Sequence, residues 1–320
     1  MDRRMAVSVP NLTQAQEDAI RSAAEKHGFE IRFLADPAED RAYLNSAEVV
    51  FGHLPGTARH SEALRWICTP YAGVDQFLAP DGFANPEAML SNSSGAYGVT
   101  IAEHTVMILL EILRRRKEYR RITDAKGWTR DLPVRSIKGA KILMAGTGDI
   151  GQETAMRLRP FGPERITGVN RSGRNPGGLF DRIRTAADWE AELAETEILI
   201  ISLPGTKESF RMIGEKQLAA LPDCAVVINV GRGSVIDQAA LARELAKGRL
   251  YAGLDVFEQE PPEEDDPVWK LENLVMTPHT AGNMTLPYTV QRIVELFLED
   301  LENYCAGRTP ERLVDREAGY

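Results

Sequence analysis

Short runs of aliphatic and β-branched residues recur along the chain, and amphipathic stretches alternate with them. RMAVSV, FEIRFL and AEVVFG read as strands, with LTQAQEDAIRSAAEKHG as a helix that ends at Gly28. WICTPYAGVDQF continues as a strand over 66–69, followed by a glycine-containing loop. A second series starts at Lys141. There KILMAG, ERITGVN, EILIISLP, AVVINVG, LYAGLDVF and NLVMTP read as strands, and DIGQETAMRLRPF as the helix after the first of them. Strands separated by helices pair in parallel, because each crossover returns the chain to the same end of the sheet. The expected fold class is therefore α/β, with two doubly wound parallel-sheet domains. Between the two series, VTIAEHTVMILLEILRRR predicts one long helix over about 99–118, apolar on several faces and so expected against another domain or subunit. A last long helix is expected over about 287–306.

A chain of 320 residues exceeds the size at which a single core stops growing, which favours two domains. Its 43% hydrophobic and 27% charged residues are ordinary for a globular protein. A net charge of −9 argues against a nucleic-acid or anionic-membrane partner, since both select a basic surface. Cys68, Cys224 and Cys305 are far apart, have no metal-type spacing and suit a reducing cytosol. The segment MDRRMAVSVP has no apolar signal core, and the most apolar helix carries Glu103, His104 and Glu111 and is too short to span a bilayer. The expectation is a cytoplasmic protein with no metal, membrane or nucleic-acid partner.

The stretch Ala145-Gly146-Thr147-Gly148-Asp149-Ile150-Gly151 is a G-x-G-x-x-G between a predicted strand and a predicted helix. In that context the first glycine allows a tight turn, the second lets a pyrophosphate approach the backbone, and the third lets helix and strand pack closely. The helix N-terminus then offers N–H groups to the phosphates. Asn170 stands at the end of the next strand, about 20 residues on, where an acidic residue would bind the adenosine ribose of NAD. A carboxylate there would repel a 2′-phosphate, whereas Asn170 does not. Arg171 and Arg174, around Ser172, could pair with such a phosphate. The sequence thus favours NADP(H), with NAD(H) as the other possibility.

Arg232 lies between Gly231 and Gly233 at the end of AVVINVG, where open α/β sheets bind ligands. Small neighbours leave its guanidinium available to a carboxylate. Farther on, Glu258 and Glu260 precede Pro261, and His279 follows the strand NLVMT. A histidine beside a carboxylate can accept and donate a proton near neutrality. His27, His53 and His60 read as surface or loop residues, and His104, on an apolar helix, as structural.

Taken together, GTGDIG, SLPGTKES, NVGRGSVID, AGLDVFEQEPP and DPVWKLENLVMTPHTAG resemble the D-isomer-specific 2-hydroxyacid dehydrogenases, which include glyoxylate/hydroxypyruvate reductases. The resemblance implies a Rossmann cofactor domain over 98–285, inserted into a flavodoxin-like substrate domain formed by 1–97 and 286–320, and a homodimer. It implies that Arg232, Glu260 and His279 are catalytic. Arg232 would hold the substrate carboxylate, His279 would give the proton, and Glu260 would pair with the histidine. It assigns cofactor contacts to the glycine motif (Gly146 to Gly151), to Leu203, Pro204, Val230 and Gly231, to Asp255 near the carboxamide, and to Thr100. Tyr71, Ala72 and Gly73 would meet the substrate, with Tyr71 standing where smaller residues are frequent. The implied reaction is reduction of a small 2-keto acid of the glyoxylate or hydroxypyruvate type. The alternative is a nucleotide-sensing, corepressor-like binding protein on the same fold.

Overall fold

The computed structural model describes residues 3–38 and 40–320. The first unit opens with β1 (Arg3–Ser8), α1 (Gln14–Lys26), β2 (Phe29–Phe33), α2 (Arg41–Ser46), β3 (Val49–Gly52), α3 (Pro55–His60), β4 (Trp66–Cys68) and β5 (Met89–Ser91). The strands are parallel, in the order β2-β1-β3-β4-β5, which is the flavodoxin-like arrangement. Helix α1 is closed at both ends by local chemistry. Thr13 and Gln16 form a reciprocal capping box, and Gly28 turns the chain with φ +77°.

The second unit, Gly98–Gly282, holds α4 (Gly98–Leu113), α5 (Arg116–Asp124), β6 (Lys141–Ala145), α6 (Asp149–Leu158), β7 (Arg165–Val169), β8 (Arg182–Arg184), β9 (Ile198–Ile201), α7 (Glu215–Ala220), β10 (Val226–Asn229), α8 (Gln238–Ala246), β11 (Tyr251–Leu254) and β12 (Leu274–Met276). Its sheet is also parallel, in the order β12-β11-β10-β9-β6-β7-β8. Leu143, Leu199, Val227 and Ala252 point into one core beneath α7 and α8. Helix α4 lies against the sheet so closely that a Cβ on Gly253 would come within 2.2 Å of Ile108 Cγ2.

The expected single helix over 99–118 is two helices. Apolar residues stop at Leu113, and Arg115 takes a left-handed conformation (φ 55°) between α4 and α5. Its guanidinium donates to Tyr251 Oη (2.7 Å) and pairs with Glu118 (2.8 Å), which holds the turn. The polar helix α5 buries none of its residues and cannot continue the apolar stripe. Strands β5 and β8, three residues each, are too short to show a period in the sequence.

From Asn283 the chain rejoins the first unit through α9 (Pro287–Cys305). This crossing comes slightly before the expected 285/286, and Met284 already accepts from Asn11 Nδ2 (3.1 Å). Phe297 of α9 stacks on Phe51 with ring centroids 3.9 Å apart. Leu313 then bridges Ser91 in antiparallel fashion, and Val314 N donates to Leu90 O (2.8 Å). Among the described residues, no helix is long and apolar enough to cross a membrane, and no cluster of His, Cys, Asp and Glu is arranged to hold a metal ion.

Candidate active site

Strand order in the second unit reverses between β6 and β9, and in open α/β sheets ligands bind beyond the strand ends at such a point. The glycine motif sits there. Gly146 has φ +105°, and a Cβ on it would lie 2.8 Å from Ser202 Oγ. A Cβ on Gly151 would lie 2.3 Å from Gly146 O, so only glycine lets α6 start this close to β6. Gly148 caps α6 and has open space around its missing Cβ, with nothing within 4 Å. That opening, in front of the first-turn N–H groups of α6, is a cradle that suits a dinucleotide pyrophosphate. The Asp149 carboxylate lies against Gly98 at the start of α4, and Ile150 is half-buried in the first turn of α6.

Asn170 follows β7 and builds the next loop. Its Oδ1 accepts from Gly173 N (2.7 Å) and from Ser172 Oγ (3.3 Å). Its Nδ2 donates to Arg174 O (2.9 Å) and to Oγ1 of the buried Thr147 (2.8 Å). This Asx-type turn leaves Arg171, Ser172 and Arg174 exposed on the loop. The nearby Glu208 carboxyl is held below its ordinary range by hydrogen bonds from its own backbone and from Thr206, with a smaller contribution from the Arg171 charge.

Arg232 is fixed by its neighbours. Gly231 N donates to Asn229 Oδ1 (3.0 Å), and Asn229 Nδ2 donates to Arg232 O (2.9 Å). A Cβ on Gly231 would lie 2.5 Å from Leu203 O, and one on Gly233 would lie 1.9 Å from the Phe257 carbonyl. These contacts draw together the segments after β9, β10 and β11. Val230 is buried between them, while Pro204 is exposed and its carbonyl accepts from Ser209 Oγ (2.6 Å). The Arg232 stem passes Gly205, whose missing Cβ would be 3.3 Å from its Cγ.

The third cluster gathers around Asp255, which is 2% exposed. Its carboxylate accepts from Thr280 N (2.9 Å), Ala281 N (3.0 Å) and Thr277 Oγ1 (2.5 Å). Its carbonyl accepts from His279 N (2.9 Å), whose residue is left-handed at φ 53°. Glu260 Oε1 accepts from Phe257 N (2.9 Å), and its Oε2 lies 2.6 Å from His279 Nδ1. An ionised carboxylate only accepts, so Nδ1 carries the shared hydrogen, on a side chain that is 52% exposed. Glu258 pairs instead with Arg211 (3.0 Å). The arrangement combines a guanidinium, a carboxylate-oriented imidazole and a phosphate cradle at one end of one sheet.

A family model for the NAD-binding domain of the D-isomer specific 2-hydroxyacid dehydrogenases matches residues 106–281. The chain belongs to this family. It is an oxidoreductase of the NAD(P)-dependent 2-hydroxyacid dehydrogenase type, and it uses a nicotinamide cofactor. A glyoxylate reductase from Korarchaeum cryptofilum is 32% identical over 245 residues, spanning 71% of this chain and 69% of that protein. Among solved structures, a D-isomer specific 2-hydroxyacid dehydrogenase family protein from Aeromonas salmonicida is 27% identical with a TM-score of 0.86, covering 99% of this chain and 100% of that one. An NADPH-dependent glyoxylate/hydroxypyruvate reductase from Sinorhizobium meliloti, solved with NADP and sulfate, is 26% identical with a TM-score of 0.81, at 99% and 100% coverage.

The other residues that the sequence put forward lie apart from those clusters in the chain. Thr100 is buried in the first turn of α4. In the first unit, Tyr71, Ala72 and Gly73 form the loop after β4. Tyr71 is 38% exposed and meets His53 edge-on at 5.1 Å, and Ala72 O accepts from Asn92 Nδ2 (3.0 Å). His53 itself is tied to Thr69 (2.9 Å) and Gln76 (3.0 Å). Sequence reasoning missed Thr277 and treated His104 as structural. His104 Nε2 lies 3.0 Å from Thr277 Oγ1 and 3.7 Å from Asp255 Oδ1. Its partners come from the far end of the unit, so no local pattern could reveal them. Burial holds the His104 imidazole below its ordinary range, against a smaller opposing effect of Asp255.

Proposed function

We propose that this dehydrogenase is an NADP(H)-preferring reductase of small 2-keto acids of the glyoxylate or hydroxypyruvate type, with His279 as proton donor. The 2.6 Å contact between Glu260 and His279, on the same strand-end edge as Arg232, is the observation that carries this reading. When bound, the dihydronicotinamide supplies a hydride to the substrate carbonyl carbon. His279 gives the proton on Nε2 to the carbonyl oxygen, so that C=O becomes H–C–O–H. Glu260 accepts a hydrogen bond from Nδ1 and so fixes the ring plane. Arg232 offers its fork to the substrate carboxylate. The Tyr71–Gly73 loop is proposed to bind substrate, which makes the first unit the substrate domain and Gly98–Gly282 the cofactor domain.

The preference for NADP(H) rests on the Asn170 loop, which has no carboxylate of its own at the ribose position and carries Arg171 and Arg174. The NADPH dependence of the Sinorhizobium meliloti relative supports it. A homodimer is proposed as well, and exposed Met107 (49%) on α4 and Met156 (42%) on α6 are suitable contact residues. Sedimentation velocity tests that point.

The main test is a panel of 2-keto acids assayed with NADPH and NADH, by loss of reduced-nicotinamide absorbance. Turnover of glyoxylate or hydroxypyruvate with NADPH is expected, and His279→Ala should cost roughly 10²–10⁴-fold in kcat. Near-full activity of both His279→Ala and Arg232→Ala would overturn the catalytic assignment. An NADH preference would overturn only the phosphate reading of Arg171 and Arg174. Tight nucleotide binding without turnover of any acid would favour the sensing protein.

A further inference from the structure

Arg232, Glu260 and His279 do not account for His104. Its side chain is 14% exposed, and it reaches from α4 to the loop that carries His279. The hydrogen-bond direction along this contact is fixed by chemistry. The Asp255 carboxylate can only accept, so Thr277 gives its single hydroxyl hydrogen to Asp255 Oδ1 (2.5 Å). Thr277 Oγ1 must then accept from His104, across 3.0 Å, so Nε2 of His104 bears a hydrogen. The result is a directed chain from His104 Nε2–H to Thr277 Oγ1–H to Asp255.

The far end of that chain is the turn that presents His279. A non-glycine residue at φ 53° is strained and persists only where its surroundings over-determine it. Asp255 supplies that constraint, accepting from the backbone N–H groups of His279, Thr280 and Ala281 in succession. Its carboxylate can hold the turn only while the carboxylate itself is held, and Thr277 with His104 is the side-chain support described above. We propose that His104 is a positioning residue: through Thr277 and Asp255 it fixes the left-handed turn from which His279 delivers its proton. This inference rests on the reading of His279 as proton donor.

The test compares His104→Phe, which keeps a ring of similar size but no donor, with His104→Gln, whose amide can donate from the Nε2 position. In the holoenzyme, His104→Phe should lose roughly ten-fold or more in kcat, with the KM for the keto acid little changed, as expected of a misplaced proton donor. His104→Gln should recover most of that loss. Thr277→Val should reproduce it, and the double variant His104→Phe/Thr277→Val should be no worse than Thr277→Val alone. Independently of activity, 15N NMR of histidine side chains in the cofactor-free protein should show His104 as the neutral Nε2–H tautomer, and Thr277→Val should perturb that signal. Full kcat in His104→Phe or in Thr277→Val, losses that multiply in the double variant, or an Nδ1–H tautomer would each overturn the proposal. If His104→Phe does not fold, Thr277→Val and the NMR signal decide it. His279→Ala assayed in parallel separates the two readings, since retained activity there sinks the donor assignment itself.

Discussion

Two glycines beside Arg232 have no room for a methyl group, and a third glycine at the other end of the site has room to spare. A Cβ on Gly233 would sit 1.9 Å from the Phe257 carbonyl, a backbone atom that cannot rotate away. Gly233→Ala should therefore cost about 1–3 kcal/mol of stability and displace Arg232, read as a lower urea midpoint together with a raised KM for the keto acid. Gly148→Ser is the contrast. Serine is a good helix N-cap and nothing lies within 4 Å, so the melting temperature should hold or rise. Its side chain would enter the phosphate cradle, and NADPH affinity should fall by roughly ten-fold in a fluorescence titration. Unchanged affinity would remove the cradle from this position. Cysteine reactivity is decided at the same scale. Burial pushes the Cys68 thiol up to about 12, while Cys224 is exposed. A thiol reagent should modify Cys224 in the native protein and Cys68 only after unfolding.

Among the elements, α1 and α4 differ in how much the local sequence explains. The ends of α1 are written in Thr13, Gln16 and Gly28, and Thr13→Ala should cost about 1 kcal/mol in urea denaturation. Helix α4 begins where Gly98 meets Asp149 and ends at a turn that Arg115 makes with Tyr251, both partners distant in sequence. Its His104 also affects stability. Burial keeps the imidazole below its ordinary 6.5, so below that pH the unfolded chain takes up a proton that the folded chain refuses. Stability falls as pH drops from 6.5 toward the lowered folded-state value. His104→Gln should flatten this part of the profile in urea midpoints taken from about pH 7.5 to 5.5. Identical slopes in parent and variant would show that His104 does not titrate in this way.

For the whole molecule, the return of the chain to the first unit depends on apolar burial and strand pairing. Phe297 is fully buried and lies between Phe51 and Trp66, 3.9 and 5.4 Å from their ring centroids. Phe297→Ala should cost about 3–5 kcal/mol, measured by urea denaturation, and a loss below about 1 kcal/mol would mean that α9 is not part of this core. Tyr304 adds a hydrogen bond from its hydroxyl to Glu48 Oε1 (2.8 Å), and the segment past α9 pairs with β5. By itself, the sequence determined the α/β class, the parallel pairing, the strand–glycine–helix unit and the family, because periodicity, turn chemistry and motif order act over a few residues at a time. It also brought Arg232, Glu260 and His279 forward as candidates. Only the tertiary structure decided that Glu258 pairs with Arg211, that the Asn170 amide reaches Thr147, and that His104 reaches Asp255 through Thr277. Those pairings join residues far apart in the chain. They depend on which strand ends lie side by side and on side-chain directions within a few tenths of an ångström, and no local pattern encodes either.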